Sequence, residues 1–218
     1  MKAYQDASLA PVRRAKALLE EMTLAEKVGQ LNQRLYGFRI YERKCVNGED
    51  TIELSEEFCQ EVEKYSGLGV LYGLYRADPW ADKDYETGLT GLLSKKAYNQ
   101  VQRYVLEHSR LGIPVMMSSE CPHGHQALDG YLLPVNLLAG ATFDPAMVRA
   151  AYRVSGRQLQ NMGVDFALMS MLDVLRDPRW GRSEECYSED PYLSARMAEA
   201  AVIGMQESGP EVVAKHFA

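Results

Sequence analysis

An α/β fold with a parallel sheet is what this sequence predicts, and two patterns in its second half predict it. First, strand-like and helical segments alternate with short connections: strand-like Leu137–Thr142, a helix to Met162, a strand over Val164–Leu172, a second helix, and a last strand over Val212–Lys215. Second, these strands are apolar on both alternating sets of positions, the composition expected when helices cover both faces of a sheet. The alternation fits a closed barrel and an open doubly wound sheet equally. No glycine-rich dinucleotide fingerprint follows any strand and no phosphate-binding G-x-x-x-x-G-K-[ST] run occurs, so nucleotide chemistry has no support.

The elements follow from local chemistry. Pro11 suits a first helical turn, and Val12, Ala15, Leu19 and Met22 fall on one helical face. Thr23 to Glu26 reads as a capping box, after which Leu24, Val28, Leu31 and Leu35 keep helical spacing. Residues 36–64 are polar and mixed, with a helix expected from Ser55 to Tyr65. Gly67 and Gly69 bracket a strand-like Val70-Leu71-Tyr72. Ser94 to Leu111 is helical in pattern and Gly112 stops it; Ile113 to Met117 is then a short strand. Asp144-Pro145 and Asp190-Pro191 each combine a capping carboxylate with a proline suited to the first helical position. Gly163 and the Ser208-Gly209-Pro210 run end the two helices that follow.

Composition narrows the classes of function. The 218 residues are 46% hydrophobic and 25% charged, globular values with room for one sizeable core. Net charge is −6, with no lysine or arginine block, which speaks against a nucleic-acid or anionic-membrane surface. No apolar run approaches a membrane span, and the first twenty residues carry charge without an apolar signal core. Cys45, Cys59, Cys121 and Cys186 form no C-x-x-C pair and read as free thiols, so a cytoplasmic location is expected. The cluster Cys121-Pro122-His123-Gly124-His125 is spaced too tightly for the usual zinc patterns, and no metal or other cofactor is expected.

The sequence D-P-R-W-G-R at 177–182, S-E-D-P at 188–191 and K-H-F at 215–217 resembles glycoside hydrolase family 3, the β-glucosidase and β-xylosidase group. M-T-L-A-E-K-V-G-Q-L-N-Q at 22–33, R-L-G-I-P-V at 110–115 and His123-Gly124 fit the same pattern. The resemblance spans most of the chain; little in 34–80 can be aligned with it. It implies an eight-stranded α/β barrel, here an incomplete TIM-type barrel with about five of the eight strands behind an N-terminal helical segment. Residues 1–218 would then be the first part of that barrel domain, ending before the strand that bears the nucleophile. The implied activity is that of a retaining, exo-acting β-glycosidase on a β-glycoside or oligosaccharide. A non-catalytic sugar-binding or interaction fragment is the alternative. An open sheet edge after Val212–Lys215 would favour self-association.

Four residues are candidate sugar ligands. Glu120 stands just beyond the expected 113–117 strand, where a carboxylate either accepts hydrogen bonds from vicinal hydroxyls or pairs with an arginine. Arg182 offers a rigid guanidinium fork amid Asp173, Asp177, Glu184, Glu185, Glu189 and Asp190, a setting that also suits a loop-fixing ion network. Lys215 and His216 end the last strand, where an ammonium is tolerated only at the outlet, because burying it unpaired is costly. The resemblance implies that all four contact the sugar, although the family more often has Asp at the position of Glu120. Asp177 and Arg179 are expected to hold their loop, His123 to orient the turn after Glu120, and Trp180 to pack. A retaining glycosidase needs two carboxyl groups about 5–5.5 Å apart. No such pair is identifiable, Asp173 reads as a strand-end structural aspartate, and no catalytic residue is assigned. The resemblance further implies glucose- or xylose-type substrates over amino sugars, because D-P-R-W-G-R is the glucosidase-type form and K-H-F-A lacks the histidine-bearing loop of the family's amino-sugar enzymes.

Overall fold

The computed structural model describes residues 2–217. Helices α1 (Pro11–Glu21) and α2 (Leu24–Gln30) open the chain, followed by an antiparallel hairpin of β1 (Tyr41–Val46) and β2 (Glu49–Leu54) and by helix α3 (Glu56–Tyr65). Strand β3 (Val70–Tyr72), helix α4 (Gly91–Glu107), strand β4 (Met116–Glu120), helices α5 (Asn136–Gly140) and α6 (Pro145–Asn161), strand β5 (Phe166–Met171), helix α7 (Pro191–Gln206) and strand β6 (Glu211–Lys215) complete it. β3, β4, β5 and β6 form one parallel sheet in that order. This is an α/β fold with the strand order and helical cover of an incomplete barrel.

The helix starts follow the sequence closely. Thr23 Oγ1 accepts from Glu26 N while Glu26 Oε2 accepts from Thr23 N at 2.7 Å, the reciprocal capping box. Asp144 caps α6 through Met147 N and Asp190 caps α7 through Tyr192 N, each followed by proline at the first helical position. α6 and α7 then pack closely because Gly204 has no side chain: a Cβ there would lie 2.2 Å from the Arg149 carbonyl oxygen. Met169, Ala167, Leu159, Met197, Ala201 and Met205 are buried between the sheet and these helices, joined to Leu71, Met117, Val101 and Val105 in one continuous core.

The structure corrects the sequence reading at three places. Leu137–Thr142 is not a strand: residues 136–140 form the short helix α5, so four strands, not five, make up the parallel sheet among the described residues. The reason is tertiary. Asn136 is fully buried, its amide donating to Glu185 O at 2.9 Å, and Gly140 lies against the Tyr187 carbonyl; a short apolar run alone does not separate helix from strand. The hairpin at 41–54 was not expected. Its signal was Asn47-Gly48, both with positive φ (53° and 82°), the two-residue turn that matches strand twist. Finally, α1 buries no residue, and Leu24 and Leu31 of the α2 stripe stand exposed, so only Leu35 of that spacing joins the core.

Candidate functional site

Each strand of the sheet ends on a residue that builds or borders one cleft. Tyr72 closes β3, Glu120 closes β4, Met171 closes β5 and Lys215 closes β6. Side chains therefore converge at the carboxyl ends of the strands, where folds of this kind form their sites. The cleft has a volume of about 640 Å³ and is lined by Arg76, Glu120, His123, Gln126, Arg182, Glu184, Glu185, Lys215 and His216, with Leu168 and Val213 as apolar floor. A second cavity of about 530 Å³ lies between α4 and α6 and contains none of the four predicted residues.

The inner pole of the cleft is an ion pair. Lys215 Nζ donates to Glu120 Oε2 at 3.1 Å, with both side chains only 14% exposed. Tyr72 Oη donates to Glu120 Oε1 at 3.0 Å. Arg76 hydrogen-bonds Tyr72 Oη, approaches Glu120 Oε1 at 3.9 Å, and is anchored by Asp78 Oδ2 at 2.6–2.7 Å. Burial and then the adjacent Glu120 charge raise the Tyr72 phenol above its ordinary range, so it stays a proton donor to the carboxylate. Beneath, Ser119 Oγ meets His125 Nε2 at 2.9 Å, and burial depresses the pKa of His125 to about 4.

The outer pole is built around Arg182. Its guanidinium forks onto Glu185, with Nη2 to Oε2 at 2.6 Å. Burial pushes the Glu185 carboxyl up, but the Arg182 hydrogen bond and charge, helped by Lys215, outweigh it and leave the group below the usual carboxylate range. Arg182 Nη1 lies 3.1 Å from His216 Nε2. A guanidinium only donates, so Nε2 accepts and the ring proton sits on Nδ1, which meets Asp173 Oδ2 at 2.9 Å. His216 is thus held between Asp173 and Arg182, and its backbone N–H also donates to Asp173 Oδ2.

All four residues singled out in the sequence line this one cleft. Glu120 is the last residue of β4 rather than a loop residue beyond it, because the strand begins at Met116, three residues later than expected. Asp177 and Arg179 do pair with each other in the 177–182 loop. His123 lines the cleft, and its backbone carbonyl accepts from Leu133 N, while its ring Nδ1 is buried without a hydrogen-bond partner among the described residues. Tyr72, Arg76, Glu185 and the anchoring of His216 by Asp173 went unrecognised; Glu185 stood in the charged cluster around Arg182, but nothing local distinguished it from its neighbours. Among the described residues no group of three or more His, Cys, Asp or Glu could hold a metal ion. The lining carries three cations (Arg76, Arg182, Lys215) and three carboxylates (Glu120, Glu184, Glu185), a balance suited to a neutral, hydroxyl-rich ligand rather than to an anion.

Residues 23–218 match the glycosyl hydrolase family 3 N-terminal domain. A putative β-xylosidase from Formosa agariphila is 31% identical over the whole of this chain, which covers 28% of that protein. A β-glucosidase structure from Erythrobacter marinus superposes with a TM-score of 0.75 at 28% identity, covering 99% of this chain and 27% of that one. A β-glucosidase from Listeria innocua, solved in complex with glucose, gives 0.71 at 27% identity over 94% of this chain and 26% of its own. The chain thus spans about a quarter of the length of each of these three relatives.

Proposed function

The chain belongs to glycosyl hydrolase family 3 through its N-terminal domain, and from that premise we propose that it carries the sugar-binding wall of a retaining, exo-acting β-glycosidase. The observation that carries this reading is the convergence of Glu120, Lys215, Arg182 and His216 on one charge-balanced cleft at the strand outlets. Glu120 and Lys215 would take adjacent hydroxyls of the terminal sugar, the carboxylate accepting and the ammonium donating. Arg182 and the Nε2 of His216 would contact the hydroxyls on the opposite side. The β-glucosidase and β-xylosidase relatives make a glucose- or xylose-configured ring the first choice of ligand.

In this reading none of the four is a nucleophile. Double displacement requires one free carboxylate as nucleophile and a second carboxyl that donates and recovers a proton. Glu120 is engaged by Lys215 and Tyr72 and Glu185 is forked by Arg182, so neither is available as a proton donor. Residues 1–218 would serve as the first part of a barrel domain whose reacting carboxyls lie elsewhere, and this chain alone would bind sugar without turning it over. β6 pairs only with β5 among the described residues, and its other side would offer an edge for self-association. Four free cysteines support a cytoplasmic setting.

Calorimetric titration of the purified chain with glucose and xylose tests the binding reading. Binding that disappears in Lys215→Met and Arg182→Ala supports it, and binding that survives both overturns it. An aryl β-glucoside assay tests the rest. Turnover by the chain alone, lost in Asp173→Asn, would show that the nucleophile had been misplaced.

A further inference from the structure

Between α4 and α6 the surface opens into the second cavity, whose volume of about 530 Å³ is within the range of small-molecule sites. It is distinct from the cleft at the strand ends. The two share no lining residue, and the consecutive residues Tyr75 and Arg76 line the cavity and the cleft respectively.

The charged lining of this cavity is one cation, Lys95, and one carboxylate, Asp129. Asp129 is engaged at the start of α4: its Oδ2 accepts from Gly91 N at 2.6 Å, while the N-cap side chain of Thr90 makes no capping bond. An anion therefore meets no surplus of positive charge here. The remaining polar lining is rich in carboxamides, with Asn99, Gln160 and Asn161 exposed and Gln158 half-buried. A carboxamide both donates and accepts, as a hydroxyl does, whereas a phosphate or carboxylate mainly accepts. Ser94 adds a hydroxyl of its own. It lines the cavity at 4% exposure, yet its Oγ has no hydrogen-bond partner among the described residues. Burying a hydroxyl unpaired is costly, and a ligand hydroxyl would relieve that cost.

The walls are fixed before any ligand arrives. Tyr75 Oη donates to Met162 O at 2.6 Å, which ties the end of α6 to the loop after β3. The half-buried Tyr98 ring lies against Gly163, where a Cβ would come within 2.7 Å of its Cε2. Tyr98 thus gives the cavity an apolar ring beside the carboxamides, a combination that suits a molecule with C–H faces and a hydroxyl rim.

We propose that this cavity is a second carbohydrate site, which takes a neutral mono- or disaccharide on the flank of the protein, apart from the cleft. The proposal does not rest on the cleft reading. It is a holding site and not a reacting one, since its lining has one carboxylate, already engaged, where glycosidic cleavage needs two carboxyl groups.

Amide chemical shifts of the labelled full chain test it, followed while glucose, xylose, cellobiose and inorganic phosphate are added separately. At least one sugar is expected to move the amides of Ser94, Tyr98, Gln158 and Gly163 saturably, and phosphate to leave them still. Asn99→Leu and Tyr98→Ala should each weaken that binding about 3- to 10-fold. If Tyr98→Ala fails to fold by circular dichroism, Asn99→Leu and Asn161→Leu decide in its place. Arg182→Ala, in the cleft, should leave the cavity shifts unchanged; their loss there would make them a relay of cleft binding and overturn the proposal. Sugar-induced shifts confined to the amides around Glu120 and His216 overturn it while leaving the cleft reading intact, as does parent-like affinity in the folded cavity variants. Cavity shifts caused by phosphate and not by sugar assign the site to an anion and overturn it as well. Sugar shifts at the cavity with none at the cleft support it and remove the cleft reading, and no shift at either place removes both.

Discussion

The two poles of the cleft solve the same problem in opposite ways. At the inner pole, Glu120 and Lys215 are both 14% exposed and each terminates a strand, so backbone hydrogen bonding fixes their positions. At the outer pole, Arg182 sits in a loop with its side chain 40% exposed, and its partner His216 is 47% exposed beyond the end of β6. A carboxylate and an ammonium removed from water depend on one another, whereas a solvated guanidinium exchanges partners at little cost. The inner pole therefore serves stability and orientation at once, and the outer pole is the more solvated of the two.

That contrast can be broken most strongly at Glu120. Glu120→Ala strands the Lys215 ammonium and should lower stability by about 3 kcal/mol, read as a shift in the urea midpoint. Adding Lys215→Met should recover most of that loss, and failure to recover it would show that the pair is not the source. Next is acidity. His125, under the inner pole, is neutral when folded with a pKa near 4, while in the unfolded chain it protonates near its ordinary 6.5. Protons then bind the unfolded state preferentially, so stability is full above about pH 6.5 and falls as the pH drops toward 4, by up to about 3 kcal/mol. His125→Gln should flatten that limb in thermal melts taken across the range.

At the outer pole the effects on stability shrink and those on binding remain. Arg182→Ala leaves the Glu185 carboxylate, only 15% exposed, without its fork and should lower stability by about 1–2 kcal/mol while weakening sugar binding; a loss as large as that of Glu120→Ala would make Arg182 chiefly a structural residue. Asp173→Asn should alter stability least. Its signature is the ring of His216: Nε2 still accepts from Arg182, so the proton stays on Nδ1, but its acceptor changes from a carboxylate to a neutral amide oxygen, and the Nδ1 chemical shift of labelled histidine should move. An unchanged Nδ1 shift would mean that Asp173 does not bond the ring.

Much of this molecule was legible in its sequence because its signals are local. The caps at Thr23, Asp144 and Asp190 act over three residues, whereas the choice of Glu120, Arg182, Lys215 and His216 came from the resemblance to glycoside hydrolase family 3 rather than from the strands alone. What was missed depends on partners far apart in the chain. Tyr72 and Glu120 are separated by 48 residues and His216 and Asp173 by 43, so nothing near Tyr72 or Asp173 announces the bond. Leu137–Thr142 shows the same limit from the other side, since its helix is fixed by contacts of Asn136 and Gly140 with Glu185 and Tyr187. The hairpin at 41–54 was different: Asn47-Gly48 stated it locally, and the polar run around it hid the signal.

The Glu120–Lys215 contact also sets an order of events. It joins residues 95 positions apart and reaches over β5, so it closes only after β4, β5 and β6 have taken their places side by side. Long-range closure of this kind comes late, after local helices have formed. A newly collapsed chain would therefore possess most of its helix content before it possessed a binding cleft. In refolding experiments, recovery of glucose binding should lag behind the far-ultraviolet helix signal, and simultaneous recovery would mean that β6 docks as early as the helices.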